Sequence, residues 1–592
     1  MKVKTPDGFV VGTDGLIVKT EFVNLPQVME LVYIGEYGFY GEVVTIKGKT
    51  GLIQVYEDIT GLKPGEPVYR SGAPLSIELG PGLLGGIFDG TARPLTSNSV
   101  KDSVFIKRGK PAPTLDPEKK WEFTPLLKKN SLLSGGEIIG TIRETSLIEH
   151  RVIIPPDIEG VLVNIAETGE YTVSDKIGEV RTPYGETIGI TIKQTHPIKT
   201  PRPVKERIPP SQPLITGQRV IDTFFPIAKG GACAIPGGFG AGKTITQHQL
   251  ARWSKADIVI YVGCGERGNE ITEILETFPS LKDPKTGKPL SERTVIIANT
   301  SNMPVTAREA SIYTGITIAE YYRDMGYDVA LLTDSLSRWA EALREISGRL
   351  EEMPAEEGYP AYLSSRIAEF YERAGAVVAL SDKSGSVSII ASVSPPGADF
   401  SEPVTQSVKR FVRCFWELDK SLASARHFPS INWMRSYSEY GDICTQYWEK
   451  MGYYDYAEIR AKAFDILQRE DRLLKIARLI GADSLPDNER LVLETSRLIR
   501  TGFLKQNAYD ETDAYSSPEK QILILRLILK FYERALSIIS IGAPIFEIQG
   551  LESIAKIARL KMTVSDDNLS LIDETEEFMM KEFDGIESVY KE

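Results

Sequence analysis

Eight consecutive residues, Gly237-Gly238-Phe239-Gly240-Ala241-Gly242-Lys243-Thr244, have the types and spacing of a loop that cradles phosphate groups. The glycines let the backbone curl so that successive N–H groups point inward, the Lys243 ammonium reaches the β- and γ-phosphate oxygens, and Thr244 offers a hydroxyl to Mg2+. The chemistry implied is binding of a nucleoside triphosphate. Such a loop needs a strand before it and a helix after it. The flanks supply both, because Ala232-Cys233-Ala234-Ile235 reads as a short buried strand and Thr244 to Trp253 carries helix formers with an apolar stripe.

Two more strand ends carry chemistry. The run Asp328-Val329-Ala330-Leu331-Leu332-Thr333-Asp334 predicts a buried strand that ends in a carboxylate. A parallel sheet offers a group to Mg2+ through a water shell from just such a position. An apolar run ending in Asp is commonplace by itself; paired with the phosphate loop it becomes a metal-supporting candidate. Between the two lies Asp257 to Val262, a strand running into Gly263-Cys264-Gly265-Glu266-Arg267-Gly268-Asn269-Glu270. A carboxylate at this place, Glu266, can polarise an attacking water, and the adjacent Arg267 guanidinium can hold phosphoryl oxygens or position the carboxylate. A solvated turn is the alternative, and convergence of three strand ends on one triphosphate favours chemistry.

Composition narrows the class. The chain has 592 residues, too many for one core, so about three or four domains are expected. Lys and Arg number 69 against 81 Asp and Glu, a net charge of −12, which argues against nucleic acid as the main partner. Cys233, Cys264, Cys414 and Cys444 show no paired spacing and do not cluster with histidines, so neither a disulfide scaffold nor a zinc site is expected. No apolar run approaches the ~18 residues needed to span a bilayer, and the opening MKVKTPDGFV lacks a signal-type apolar core. Any membrane role is therefore expected to be peripheral.

The elements that must position these residues change in texture along the chain. Residues 1–75 hold short alternating runs between Gly and Pro turns and predict an N-terminal β-barrel; 76–115 begins the nucleotide-binding region. Residues 116–189 form a glycine-punctuated β-rich insertion that resembles a lipoyl-type module. It lacks a lysine at an obvious attachment turn, so a rigid structural role is preferred. Residues 190–435 alternate strand and helix, the pattern of an α/β nucleotide-binding domain with a parallel sheet. From 436 to 592 the chain reads as a helical domain, with 473–480 and 522–529 as buried seams and Ser517 before Pro518 as a helix start.

Longer strings make the pattern specific. Gly263 to Glu270 is joined by Ala298-Asn299-Thr300-Ser301-Asn302-Met303-Pro304, by Ser337-Arg338-Trp339-Ala340-Glu341-Ala342-Leu343-Arg344-Glu345, and by Arg426-His427-Phe428-Pro429-Ser430-Ile431-Asn432-Trp433. Together they resemble the catalytic A chain of the V-type and archaeal-type rotary ATPases over essentially the whole length. The resemblance implies ATP hydrolysis or synthesis, with ATP or ADP bound together with Mg2+. It implies that Lys243 and Thr244 bind phosphate and Mg2+, that Glu266 orients the attacking water, that Arg267 contacts the phosphate end, and that Asp334 supports the metal. It further implies that Phe428, Ala508 and Tyr509 pack around the adenine. As partners it implies a B chain in an alternating A3B3 ring, central and peripheral stalk subunits, and indirectly a membrane sector that conducts protons or sodium ions. The complex would lie on the cytoplasmic face of a membrane, and 351–360 and the helical C-terminus would face the shaft. The family's usual proline after the first loop glycine is Gly238 here, and Ala241 stands where eukaryotic relatives carry a cysteine, which excludes disulfide control at that position. Hexameric helicases and protein-export ATPases with a related core are a competing class, as is a non-catalytic nucleotide-binding subunit.

Overall fold

The computed structural model describes residues 5–95, 109, 113–283 and 286–590, so part of the expected stretch 76–115 lies outside the described residues. The chain divides into two units, Met1–Pro209 with Lys229–Ala234 and Ala256–Val412, and Pro210–Ala228 with Ile235–Lys255 and Arg413–Glu592.

The first unit opens with six strands, β1 (Gly8–Asp14), β2 (Ile17–Phe22), β3 (Glu30–Ile34), β4 (Phe39–Lys47), β5 (Thr50–Val55) and β6 (Pro67–Pro74). They close into a barrel in the order β1-β2-β5-β4-β3-β6. Alternation turns Val10, Val18, Phe22, Val32, Ile34, Phe39, Val43, Ile53 and Val55 inward, and closure pairs every edge that an open sheet would leave exposed. Gly51 makes room for the Phe22 ring, which would lie 2.6 Å from a Cβ at that position.

The insertion is a pair of four-stranded antiparallel sheets. One orders Leu132–Leu133, Gly160–Ile165, Lys176–Arg181 and Thr187–Thr191; the other orders Glu149–Ile153, Ile138–Arg143, Lys120–Pro125 and Gly169–Thr172. A buried carboxylate anchors it within this unit. Glu144 accepts from the N–H groups of Gly82 at 2.8 Å and Leu84 at 3.1 Å and from the Tyr322 hydroxyl at 3.0 Å.

Five strands and four helices then carry the candidate chemistry. In chain order β7 (Ala232–Pro236) precedes α1 (Lys243–Trp253), β8 (Ile258–Glu266) precedes α2 (Gly268–Ser280), β9 (Thr294–Thr300) precedes α3 (Val305–Asp324), β10 (Asp328–Asp334) precedes α4 (Leu336–Arg349), and β11 is Ser384–Val393. In the first unit β8 lies between β9 and β10, all parallel, and β10 pairs in parallel with β11. Ile389 of β11 donates its N–H to Gly231 O, just before β7, at 2.9 Å. Ile258 to Cys264 are buried without alternation, as expected of a parallel strand covered on both faces.

The second unit holds α1 and the C-terminal helices, among them α5 (Tyr456–Ile480), α6 (Pro518–Ser540), α7 (Glu552–Thr563) and α8 (Ser570–Tyr590). The Ser517 side chain caps α6 by accepting the Lys520 N–H, and Pro518 occupies the first turn, where no donor is needed. The seam at 522–529 is buried as expected. The one at 473–480 is not: Leu473 is buried, but Leu474, Ile476 and Leu479 are exposed, Leu479 by 86%. Helical periodicity shows which side chains share a face; it does not show that another element covers that face.

Candidate functional site

The phosphate loop belongs to the second unit, and its shape follows from its glycines. Gly240 and Gly242 adopt φ of 77° and 89°, the left-handed region that a side chain disfavours, and Gly242 is the residue from which α1 starts. Side chains and backbone from 413–592 hold the loop. Gly237 bridges to Leu418, and the Ser430 hydroxyl donates to Ala241 O at 2.5 Å. Gly238 and Ala241 are buried, whereas Phe239 is 80% exposed at the tip, so Phe239 contributes its backbone to the cradle. Lys243 Nζ donates to Gly237 O at 2.6 Å and to Gly238 O at 3.1 Å, which places the ammonium over the mouth of the loop. Thr244 follows in the first turn of α1 and is half-buried.

An aromatic surface adjoins the loop in the same unit. A Cβ at Gly242 would lie 3.5 Å from the Phe428 ring, so ring and loop are in contact range. The Phe428 carbonyl accepts the Gln506 N–H at 2.7 Å, which brings Ala508 and Tyr509 to the same neighbourhood. Phe428 is 37% and Tyr509 85% exposed, so neither is core packing. Ala508 is half-buried. Exposed aromatic faces beside a phosphate loop suit a purine base.

The first unit holds the carboxylates. Glu266 closes β8 and Asp334 closes β10, with Gly263 of β8 paired opposite Asp334. Both carboxyls therefore leave the C-terminal edge of one parallel sheet, which is where an open α/β sheet presents ligand-facing groups. Asp334 is buried and accepts a hydrogen bond from the Ser392 hydroxyl. The Glu266 carboxyl is pushed up to about 9, by burial first, then by the Asp334 charge and by the hydrogen bond and charge of Glu270, with Arg338 pulling the other way. Arg267 is exposed next to it.

Sequence reading missed Glu270 and Arg338 as parts of this group. Glu270 lies in the first turn of α2, and Arg338, in the first turn of α4, donates to Glu341 at 2.9 Å. Gly265 lets Arg338 and Arg308 approach, since a Cβ there would sit 2.9 Å and 3.0 Å from their side chains. The available signal was position: each follows a carboxylate-ending strand by four residues, in the first turn of the next helix. Among the described residues no cluster of three His, Cys, Asp or Glu could hold a metal by itself. No helix among them is long and apolar enough to cross a membrane.

Comparison with known proteins agrees with this arrangement part by part. Residues 10–72 match the ATP synthase alpha/beta family, beta-barrel domain, and 112–199 the ATP synthase alpha/beta subunit barrel-sandwich domain. Residues 217–438 match the ATP synthase alpha/beta family, nucleotide-binding domain, and 445–548 the C-terminal domain of V and A type ATP synthase. The catalytic (alpha-type) chain of the A-type ATP synthase of Desulfurococcus sp. (strain SY) is 54% identical over 573 residues, covering 96% of this chain and 98% of the relative. The V-type ATP synthase alpha chain of Halothermothrix orenii is 54% identical over 563 residues, covering 95% of each. The assembled ATPase EscN of the enteropathogenic E. coli type III secretion system superposes with a TM-score of 0.63 at 22% identity, over 88% of this chain and all of that one, a likeness of fold alone. With four successive domains matched and more than half of its residues shared with relatives along nearly its whole length, this chain belongs to the ATP synthase alpha/beta family, among the catalytic A (alpha) subunits of the A- and V-type ATP synthases.

Proposed function

We propose that this chain interconverts ATP plus water with ADP plus phosphate at an interface with a B chain, and that Glu266 is the group that handles the proton. The supporting observation is the environment of that carboxyl. It lies at the end of a central parallel strand, near Asp334, with its proton affinity raised to about 9. A group that titrates near the working pH can take a proton from the attacking water in hydrolysis and return it in synthesis, whereas an ordinary exposed carboxylate stays ionised in both directions. Arg338 and Arg267 supply positive charge next to it and hold the phosphoryl end. The main-chain N–H groups of 237–242 and the Lys243 ammonium bind the β- and γ-phosphates. Phe428, Ala508 and Tyr509 receive the adenine.

The oxygen donors suit Mg2+, which takes one or two protein oxygens and completes its shell with phosphate and water. The Thr244 hydroxyl and the Asp334 carboxylate, steadied by Ser392, are those donors. When bound, Mg2+ offsets charge on the transferred phosphoryl oxygens.

The names of the relatives support membership in a multisubunit ATP synthase. In our reading three copies of this chain alternate with three copies of the B chain around a central stalk, steadied by peripheral stalk subunits. The assembly lies on the cytoplasmic face of a membrane and is coupled to a sector that conducts protons or sodium ions. The fully exposed acidic stretch 351–358 is a candidate shaft-facing segment.

Glu266→Gln tests the reading. The amide keeps the shape and loses the charge, so ATP affinity is expected to persist while turnover falls about 10²-fold or more. Lost affinity with an unchanged rate per bound ATP would make Glu266 a binding residue. The substitution also has a pH signature. Because the folded carboxyl titrates at about 9 against 4.5 for an ordinary glutamate, the folded chain holds more protons than the unfolded chain between those values. Wild-type stability therefore declines as pH rises through that window, and the Gln variant escapes the decline. The melting-temperature advantage of Glu266→Gln should widen from pH 5 to pH 9; a constant difference would show an ordinary carboxylate.

A further inference from the structure

The loop that carries Ala508 and Tyr509 is built on three polar side chains with almost no solvent contact. Arg219 is completely buried, as is Asp513, and Gln506 is 3% exposed. Arg219 donates through Nε to Phe503 O at 2.5 Å and through Nη2 to Lys505 O at 3.0 Å and Asp513 Oδ1 at 2.6 Å. The other Asp513 oxygen accepts the Asn507 N–H at 2.8 Å, and the Asn507 side chain in turn accepts the Tyr509 N–H at 3.1 Å. Gln506 joins four segments. Its side chain donates to Gly217 O at 2.9 Å and Ala514 O at 3.3 Å and accepts the Arg219 N–H at 3.0 Å, while its own N–H donates to Phe428 O at 2.7 Å.

The bonds run in one direction: from a buried charge pair, through Asn507, to the backbone of the exposed Tyr509, and from Gln506 to the backbone of the exposed Phe428. A buried charge and its partner have one low-energy geometry, since any displacement leaves a desolvated group unpaired. Two aromatic faces that would otherwise swing with their loops are thus tied to a single rigid node. The helical domain is tied in as well. Lys561 of α7 donates to Lys505 O and Thr501 O, each at 2.7 Å, and Lys520 of α6 donates to Thr512 O at 3.2 Å.

We infer that Arg219, Gln506 and Asp513 form a latch that sets the spacing of the Phe428 and Tyr509 faces, and so determines how tightly the chain holds the nucleobase, as opposed to the phosphates. The three are positioning residues. The inference rests on the proposed role of Phe428, Ala508 and Tyr509 as the base pocket. Its consequence is that base affinity depends on how α6 and α7 are docked, while the grip on the triphosphate does not.

A ligand without a base separates the two. The full-length chain is titrated with ATP and with inorganic tripolyphosphate, each with Mg2+, as wild type, Gln506→Glu, Asp513→Asn and Phe428→Ala. Gln506→Glu keeps the volume and the acceptor for Arg219 but loses the donors to Gly217 and Ala514; Asp513→Asn is the milder change should the first compromise folding. Both are expected to weaken ATP about tenfold and leave tripolyphosphate affinity unchanged, as Phe428→Ala should. Parallel weakening of both ligands, or unchanged ATP affinity with a lowered melting temperature, would reduce the three residues to core packing and overturn the latch. If Phe428→Ala weakens ATP and the latch variants do not, the latch fails and the pocket stands. If Phe428→Ala leaves ATP binding unchanged, the base pocket itself is wrong and the latch falls with it.

Discussion

Combined with the B chain that we propose as its ring partner, this chain is expected to hydrolyse ATP about 10³ to 10⁵ times faster per site than it does alone. The transition state of phosphoryl transfer spreads negative charge over the equatorial oxygens, and a guanidinium supplied across an interface commonly stabilises it. The arginines beside Glu266 have other work. Arg338 is held by Glu341 at 2.9 Å, and its charge offsets the raised proton affinity of Glu266. Arg267 is exposed and adjoins the same carboxyl. A further arginine from the neighbouring B chain is therefore the expected missing contribution. The check is hydrolysis per catalytic site by the isolated chain and by the reconstituted ring; equal rates would show that catalysis is complete within this chain.

Lys243→Ala is expected to reduce turnover about 10³-fold or more, because the ammonium is a main counter-charge to the β- and γ-phosphates in a site that depends on preset electrostatics. The fold should survive. Lys243 is half-exposed, and its hydrogen bonds to Gly237 O and Gly238 O reach carbonyls of its own loop, so these two bonds tie down no other element. Turnover of the assembled complex and the melting temperature of the chain read the two effects separately. Near-normal hydrolysis by the variant would remove 237–244 from the triphosphate site, and a collapse in melting temperature would mean that the lysine is structural.

The residues whose roles depend on local backbone were legible in the sequence. Gly240 and Gly242 take positive φ because the chain must turn sharply between β7 and α1, and that requirement is written into the residue types themselves. The same holds for Asp334 at the end of β10 and for Ser517 as the cap of α6, each fixed by neighbours within a few residues. The barrel and the parallel sheet were readable too, since alternating and continuous apolar runs report how many faces of a strand are covered.

What escaped was whatever depends on partners distant in sequence. Leu474, Ile476 and Leu479 have the pattern of a buried seam and lie in solvent, because coverage is decided by whether another helix reaches that face. Glu266 was recognisable as a carboxylate near phosphate, but its proton affinity is set by burial, by Asp334 and by Glu270.

By itself, then, the sequence determined the phosphate loop, the two carboxylate-ending strands, the order of the four domains and the family to which they belong. Each of these is carried by short-range geometry or by long matching strings. Only the tertiary structure decided that Phe428 and Tyr509 are exposed faces and not core, and that Arg219, Gln506 and Asp513 meet beneath them. The physical reason is that desolvation and hydrogen-bond satisfaction belong to the assembled environment: Arg219 and Asp513 are ordinary charged residues until folding removes water from both and leaves each as the other's partner.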